Sequence, residues 1–277
     1  MMNNIYYIYI IVAAALIPIL NNFFPILRQS YSYWLIPVLL VGFFICFCII
    51  QALLLLFMIL FTNVKGRISK NQKLFRFLVD ISLSPLLRFG GIVINTKGTE
   101  NMPSDRRMLI VCNHQHDFDP VIMLSVFKGI DIGFIGKKDI YEKMPFIARI
   151  MHRLHSLPID RENNREAAKT IIKAIKLLNE NVTSIGLFPE GYTSKNCELL
   201  PFRNGSLKIA LKANVPIAVC VINNTRSIPK NLFKRKTQID FRLLRIIEPA
   251  EYDGLDTSEL GDMIHNDMQN ALAEIRK

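Results

Sequence analysis

The 277-residue sequence predicts an α/β fold: a mixed, largely parallel sheet flanked by helices, preceded by an N-terminal apolar helical segment that anchors in a membrane. Three observations lead there. From Gly90 onward, short apolar runs alternate with stretches of helical periodicity, the signature of strands linked by crossover helices. Three of those runs end abruptly in polar clusters, as strands do where a sheet carries a site at its carboxyl edge. Before them, Met1 to Thr62 carries one charged residue, Arg28, and is otherwise dominated by large apolar side chains.

Three segments are expected: residues 1–62 in or on a membrane, 63–89 as a basic connector helix, and 90–277 as the catalytic or binding domain. Within the first, Trp34 to Phe61 has Gln51 as its only clearly polar residue. About 20 apolar residues suffice to cross a bilayer, so this run spans with room for tilt. Ile5 to Leu20 is shorter and holds Pro18, which suits a short second span or an interfacial helix. Lys65, Arg67, Lys70, Lys73 and Arg76 then follow the long run, so the positive-inside rule puts the catalytic domain on the cytoplasmic face. The connector continues with helical spacing from Asn71 to Phe89, Pro85 lying near its end.

In the remaining chain, strands are expected at Ile92–Thr96, Met108–Cys112, Ile132–Ile135, Ser184–Phe188, Ile217–Ile222 and Ile239–Ile247, with a short one at Leu157–Ile159. Helices fit Pro120–Phe127, Met144–Leu154, Glu162–Asn179, Asn204–Lys212 and Thr257–Ile275.

The net charge of +11 raises nucleic acid, anionic lipid or an anionic substrate as partners. The adjoining apolar segment favours lipid, and the sequence has no interleaved basic and aromatic run of the kind that grips single strands. Nucleic acid is therefore not an expected partner; membrane lipids are. The five cysteines are scattered without a C-x-x-C pair, which suggests neither a disulfide framework nor a zinc knuckle.

The first polar cluster follows Met108–Cys112. His114 and Asp119 are five positions apart at a strand-to-helix turn, where a carboxylate can fix an imidazole so that its other nitrogen takes a proton from an alcohol. The competing reading makes Asp119 a plain helix cap ahead of Pro120. The second cluster puts Arg161 after Leu157–Ile159, where its planar guanidinium suits phosphate oxygens, or a surface carboxylate. The third, Glu190-Gly191 after Ser184–Phe188, combines an acceptor with a flexible turn, or is an ordinary solvated turn. Downstream, Arg203, Gly205 and Lys208 open a helix, either as an anion seat or as a solvated basic face.

Taken in order, NHQHDFD, GKKDIYEKMPFIARIM, LPIDR, FPEGYTS, PFRNGSLKIA and VPIAV resemble the successive blocks of the glycerolipid acyltransferase family, whose best-known members are 1-acylglycerol-3-phosphate acyltransferases. The resemblance spans roughly Gly90 to Pro249. It implies acyl transfer from acyl-CoA or acyl-carrier-protein to the free hydroxyl of a lysophospholipid, without a cofactor or a metal. His114 would be the general base, Asp119 its orienting partner, and Arg161 the grip on the acceptor phosphate. Glu190 and Gly191 would line the acceptor site, with Lys138 and Arg203 as further basic contacts. One departure stands out: where the family commonly reads E-G-T-R-S, this chain has Glu190-Gly191-Tyr192-Thr193-Ser194, so Thr193 replaces an arginine. A different lysolipid acceptor therefore stays open. Two rivals from other classes remain, a metal-dependent hydrolase built on His114, His116 and Asp117, and a non-catalytic lipid-binding protein.

Overall fold

The computed structural model describes residues 35–63 and 72–276. Ile5–Leu20, Arg28, Trp34, Lys65, Arg67 and Lys70, on which part of the membrane and charge reading rests, lie outside the described residues. The chain divides into two units between Met58 and Ile59.

The first unit is built around helix α1, Leu35–Leu60, of which Pro37–Leu60 is long and apolar enough to cross a membrane. Its side chains stay exposed along most of its length, among them Val41, Phe43, Ile50 and Phe57. An apolar helix whose described side chains are mostly exposed has the composition of a lipid-facing span rather than a core helix.

The second unit is a seven-stranded sheet in the order β1-β7-β6-β2-β5-β3-β4. The strands are β1 (Ile92–Lys97), β2 (Leu109–Cys112), β3 (Ile132–Lys137), β4 (Leu157–Ile159), β5 (Ser184–Leu187), β6 (Ile217–Asn223) and β7 (Thr237–Ile247). Every neighbouring pair is parallel except β6 with β7. Strands β2, β5 and β6 are almost wholly buried, which is why they read as unbroken apolar runs: parallel strands are covered on both faces. The long β7 alternates instead and carries a register shift opposite Val219 and Cys220.

Helix α2 (Lys73–Phe89) opens the unit, and α3 (Asp119–Val126) follows β2. Next come α4 (Lys138–Lys143) and α5 (Pro145–Arg153), then α6 (Asn164–Asn179), α7 (Lys208–Ala213), the one-turn α8 (Ile228–Asn231) and α9 (Thr257–Ile275). The Asn163 side chain caps α6 by accepting from the Arg165 and Glu166 N–H groups, and Asp256 with Glu259 forms a capping box on α9. Apolar residues of α6, α7 and α9, such as Leu178, Ile209, Ile264 and Met268, cover one face of the sheet around Leu109, Val111, Ile185 and Val219.

One local reading differs from the sequence expectation. The helix expected over Asn204–Lys212 is a 3₁₀ turn at Asn204–Leu207 that passes into α7. Arg76, counted among the basic residues that follow the long apolar run, is buried. It donates from Nη2 to the Leu124 and Phe127 carbonyls (3.1 and 2.9 Å) and pairs with Asp80 at 2.9 Å. Asp80 in turn accepts from the Gly129 N–H at 2.9 Å. The guanidinium thus satisfies carbonyls left open at the end of α3 and fixes the connector helix to the domain.

Candidate active site

Parallel strands share one carboxyl edge, and the loops leaving it assemble the site. The three adjacent central strands contribute most: β6 leads to Thr225, β2 to His114 and Asp119, and β5 to Phe188 and Glu190. Asn113 makes the exit from β2 rigid. Its side-chain amide donates to the Ile222 carbonyl (2.9 Å) and accepts from the Ile222 N–H (2.8 Å), continuing the β2–β6 ladder beyond the last strand residue.

His114 Nδ1 lies 2.8 Å from Asp119 Oδ2. The same oxygen accepts the backbone N–H groups of Gln115 (2.6 Å) and His116 (2.9 Å), while Oδ1 accepts the Thr225 hydroxyl at 2.5 Å. An oxygen that already receives two N–H donors acts here as an acceptor, so the network assigns the imidazole hydrogen to Nδ1. Nε2 is left with its lone pair. Asp119 stands at the start of α3, but its carboxylate turns back to its own loop rather than capping the helix.

The imidazole plane is set as well. Its ring stacks on Phe188, with centroids 4.4 Å apart and planes 22° from parallel, and Phe188 in turn stacks on Phe134 at 6.2 Å. The His114 side chain is 14% exposed, enough for one edge to meet a substrate. A nearly fixed ring with one free nitrogen can accept a proton without first reorganising.

Glu190 holds the loop from the other side. Its Oε1 accepts the His114 backbone N–H at 2.6 Å and its Oε2 the Leu200 N–H at 2.9 Å, so both oxygens point into the protein. Burial pushes its carboxyl up to about 7, against the pull of those two N–H groups. A carboxyl held higher in the folded chain than its usual 4.5 favours the fold below that value, and the contribution is lost as pH rises through about 7. The wild type is therefore expected to lose up to about 3 kcal/mol against Glu190→Gln over that interval. Thermal unfolding of both proteins in matched buffers from pH 4.5 to 8 checks this, and a constant gap between them would contradict it.

Gly191 has φ +76°, a left-handed conformation, and a Cβ there would meet Arg203 Cδ at 3.0 Å. The turn therefore needs glycine for both backbone freedom and space. Tyr192 follows, with its hydroxyl accepting Arg203 Nη2 at 3.0 Å and its ring 4.9 Å from the Arg203 Cζ. Arg161 Cζ lies 5.4 Å from the same ring. Burial first, and then the neighbouring Arg203, hold the Arg161 pKa below its usual value. Ser194 closes the loop by donating its N–H to the His114 carbonyl at 2.8 Å. The Arg226 guanidinium reaches the Ser194 carbonyl at 3.2 Å.

The structure thus brings His114, Asp119, Glu190 and Gly191 into one connected loop cluster, and Arg161 and Arg203 together around Tyr192. Lys138 is not part of either group: its ammonium pairs with Glu142 (3.5 Å) and Asp160 (3.6 Å), the latter next to Arg161 in sequence. His116 stacks on Phe118 and its Nδ1 accepts the Phe118 N–H. Among the described residues, no three His, Cys, Asp or Glu side chains are placed to hold a metal ion.

Sequence reasoning missed Asn113, Phe188, Tyr192 and Thr225 as parts of the site. Thr225 had one available signal, its position just past the apolar run Ile217–Ile222, where the carboxyl-edge rule applies equally.

A family model described as Acyltransferase matches residues 93–223, from the first strand to the end of β6, and so takes in the loops that carry His114, Asp119, Arg161, Glu190 and Arg203 but stops short of Thr225. Residues 93–223 thus form a domain of the acyltransferase family. Related proteins include the 1-acyl-sn-glycerol-3-phosphate acyltransferases of Borreliella burgdorferi and Escherichia coli K12. The first is 27% identical over 192 residues, covering 69% of this chain and 76% of that protein. The second is 28% identical over 196 residues, covering 70% and 78%. The crystal structure of the 1-acyl-sn-glycerophosphate acyltransferase PlsC from Thermotoga maritima superposes with a TM-score of 0.62 at 22% identity, over 80% of this chain and 87% of that one, and supports the fold. This acyltransferase is an enzyme that forms an ester at a hydroxyl oxygen.

Proposed function

We propose that this acyltransferase moves an acyl group from acyl-CoA or acyl-carrier-protein to the free hydroxyl of 1-acylglycerol 3-phosphate, yielding phosphatidic acid, with His114 as general base. The observation that carries the reading is the His114–Asp119 contact, reinforced by the Gln115, His116 and Thr225 donors, which leaves Nε2 as the free basic nitrogen.

The step follows from that geometry. Nε2 takes the hydroxyl proton as the oxygen attacks the thioester carbonyl. The tetrahedral oxyanion then collapses, its C–S bond breaks, and the departing thiolate recovers the proton from the imidazolium. No covalent acyl-enzyme, cofactor or metal is required. General-base assistance supplies about 10²–10⁴-fold, with the remainder coming from positioning and from donors to the oxyanion.

In this reading Asp119 orients the base and Arg161 and Arg203 receive the acceptor phosphate. Glu190 and Gly191 shape the acceptor wall, and Lys138 adds positive charge beyond Asp160. Relatives whose names specify 1-acyl-sn-glycerol-3-phosphate support the choice of acceptor. Helix α1 supports action at a membrane, where the lysolipid acceptor resides. The basic residues that follow it in sequence support a cytoplasmic catalytic face.

Purified full-length protein in bilayer nanodiscs is expected to acylate 1-acylglycerol 3-phosphate from a thioester donor. Arg161→Ala is expected to raise the acceptor KM about tenfold or more while leaving the donor KM alone. Absence of transfer by the wild type would refute the activity; an unaltered acceptor dependence in the variant would refute the role of Arg161.

A further inference from the structure

Tyr192 lies beside two guanidinium groups that, among the described residues, have no acidic partner. Arg203 Nη2 donates to its hydroxyl at 3.0 Å, and the Cζ atoms of Arg203 and Arg161 lie 4.9 and 5.4 Å from its ring centroid. Among the described residues, no carboxylate lies within ion-pair distance of either arginine, although Arg106, Arg107, Arg242 and Arg245 all have one. Like charges gathered without a counter-ion repel and gain from an anion that bridges them. The ring offsets part of that repulsion by offering its negative face to both cations.

The backbone links this group to the base. Tyr192 lies between Glu190, whose carboxyl accepts the His114 N–H, and Ser194, whose N–H binds the His114 carbonyl. Gly191 lacks the Cβ that would press on the Arg203 stem, so the arginine can fold across the turn to reach Tyr192.

We infer that Tyr192 is a positioning residue that holds Arg161 and Arg203 as a two-pronged seat for a phosphomonoester, and so makes this acyltransferase discriminate against zwitterionic headgroups. The seat does the work of the arginine absent at Thr193, through a side chain eleven residues further on than Tyr192. A dianionic phosphate can accept paired N–H donors from both guanidiniums at once. A phosphocholine has one charge fewer on its phosphate and brings a cation towards two others. The inference rests on the proposed lysophosphatidic acid reading and extends it to a selection rule.

Two short, monomeric probes test it on the full-length protein in zwitterionic nanodiscs: hexyl phosphate and hexylphosphocholine, titrated by calorimetry. The wild type is expected to bind hexyl phosphate about tenfold or more tightly than hexylphosphocholine. Arg203→Gln and Tyr192→Leu are each expected to erase most of that preference. Tyr192→Phe, which keeps the ring and loses the hydroxyl, is expected to fall between. The double variant should be little worse than Arg203→Gln alone, because the two side chains act as one unit.

Tyr192 is half exposed, so its replacement does not empty the core, and unchanged thermal unfolding verifies that the fold persists. In turnover, the acceptor KM should rise by more than kcat falls. Equal binding of the two probes by the wild type, or a preference that survives both Arg203→Gln and Tyr192→Leu, overturns the inference. A wild type that shows the Tyr192-dependent preference yet acylates no lysophosphatidic acid would leave the seat standing and remove the proposed reaction.

Discussion

Replacing His114 by alanine is expected to lower kcat by about 10²–10⁴-fold at saturating donor and acceptor, the usual contribution of a positioned general base. The fold should persist. His114 is held by its ring stack on Phe188 and by hydrogen bonds of its backbone to Glu190 and Ser194, and alanine keeps the backbone contacts. Acceptor and donor affinities should change little, because Nε2 is assigned to the proton and not to either substrate's anchoring. Near-parental turnover in a folded His114→Ala protein would end the general-base mechanism.

Asp119→Asn is expected to have an effect of comparable size for a different reason. The carboxylate receives four donors, two from the backbone, one from the Thr225 hydroxyl and one from the imidazole. An amide has one acceptor oxygen and one donor nitrogen. With its nitrogen at the Oδ2 place the amide faces three N–H groups, and a buried donor without a partner costs about 1–3 kcal/mol; with its nitrogen at the Oδ1 place the Thr225 hydroxyl has to turn round and accept. If the amide nitrogen faces the ring, the imidazole hydrogen moves to Nε2 and the base is lost, which predicts a fall in kcat of about 10²–10⁴-fold. Thr225→Val provides the comparison: it removes one donor to Oδ1 but leaves the imidazole contact, so its loss of kcat should be far smaller. An Asp119→Asn protein with its tautomer unchanged, read from the imidazole nitrogen shifts, and with full activity would show that the carboxylate does not govern the ring.

The sheet was legible in the sequence because its central strands are buried on both faces. Leu109–Cys112 and Ser184–Leu187 can hardly be anything but interior strands when four successive side chains are apolar or small and turn residues follow. Short helices were not legible. Lys138–Lys143 is only six residues long and begins directly at the end of β3, too brief for a 3.6-residue pattern to emerge. The burial of Arg76 was not legible either, because its partners include carbonyls about fifty residues away.

The site was legible in part for a similar reason. His114 and Asp119 sit within one turn of each other, so spacing alone could pair them. Thr225 meets Asp119 across 106 residues, and Arg203 meets Tyr192 only because Gly191 turns the chain. Contacts of that kind are decided by which strands lie side by side, and no local pattern carries that information. Glu190 shows the converse: its type and position were apparent, but only coordinates reveal that both of its oxygens serve the protein's own backbone.

Asn113 lengthens the β2–β6 ladder by a rung made from a side chain. The approach to the His114 ring is consequently welded to a strand more than a hundred positions later in the polypeptide. During synthesis the amino-terminal portion emerges first, carrying its histidine but none of the later scaffold that aims it. The loop that holds His114 is therefore pinned only after the chain has been made past Ile222.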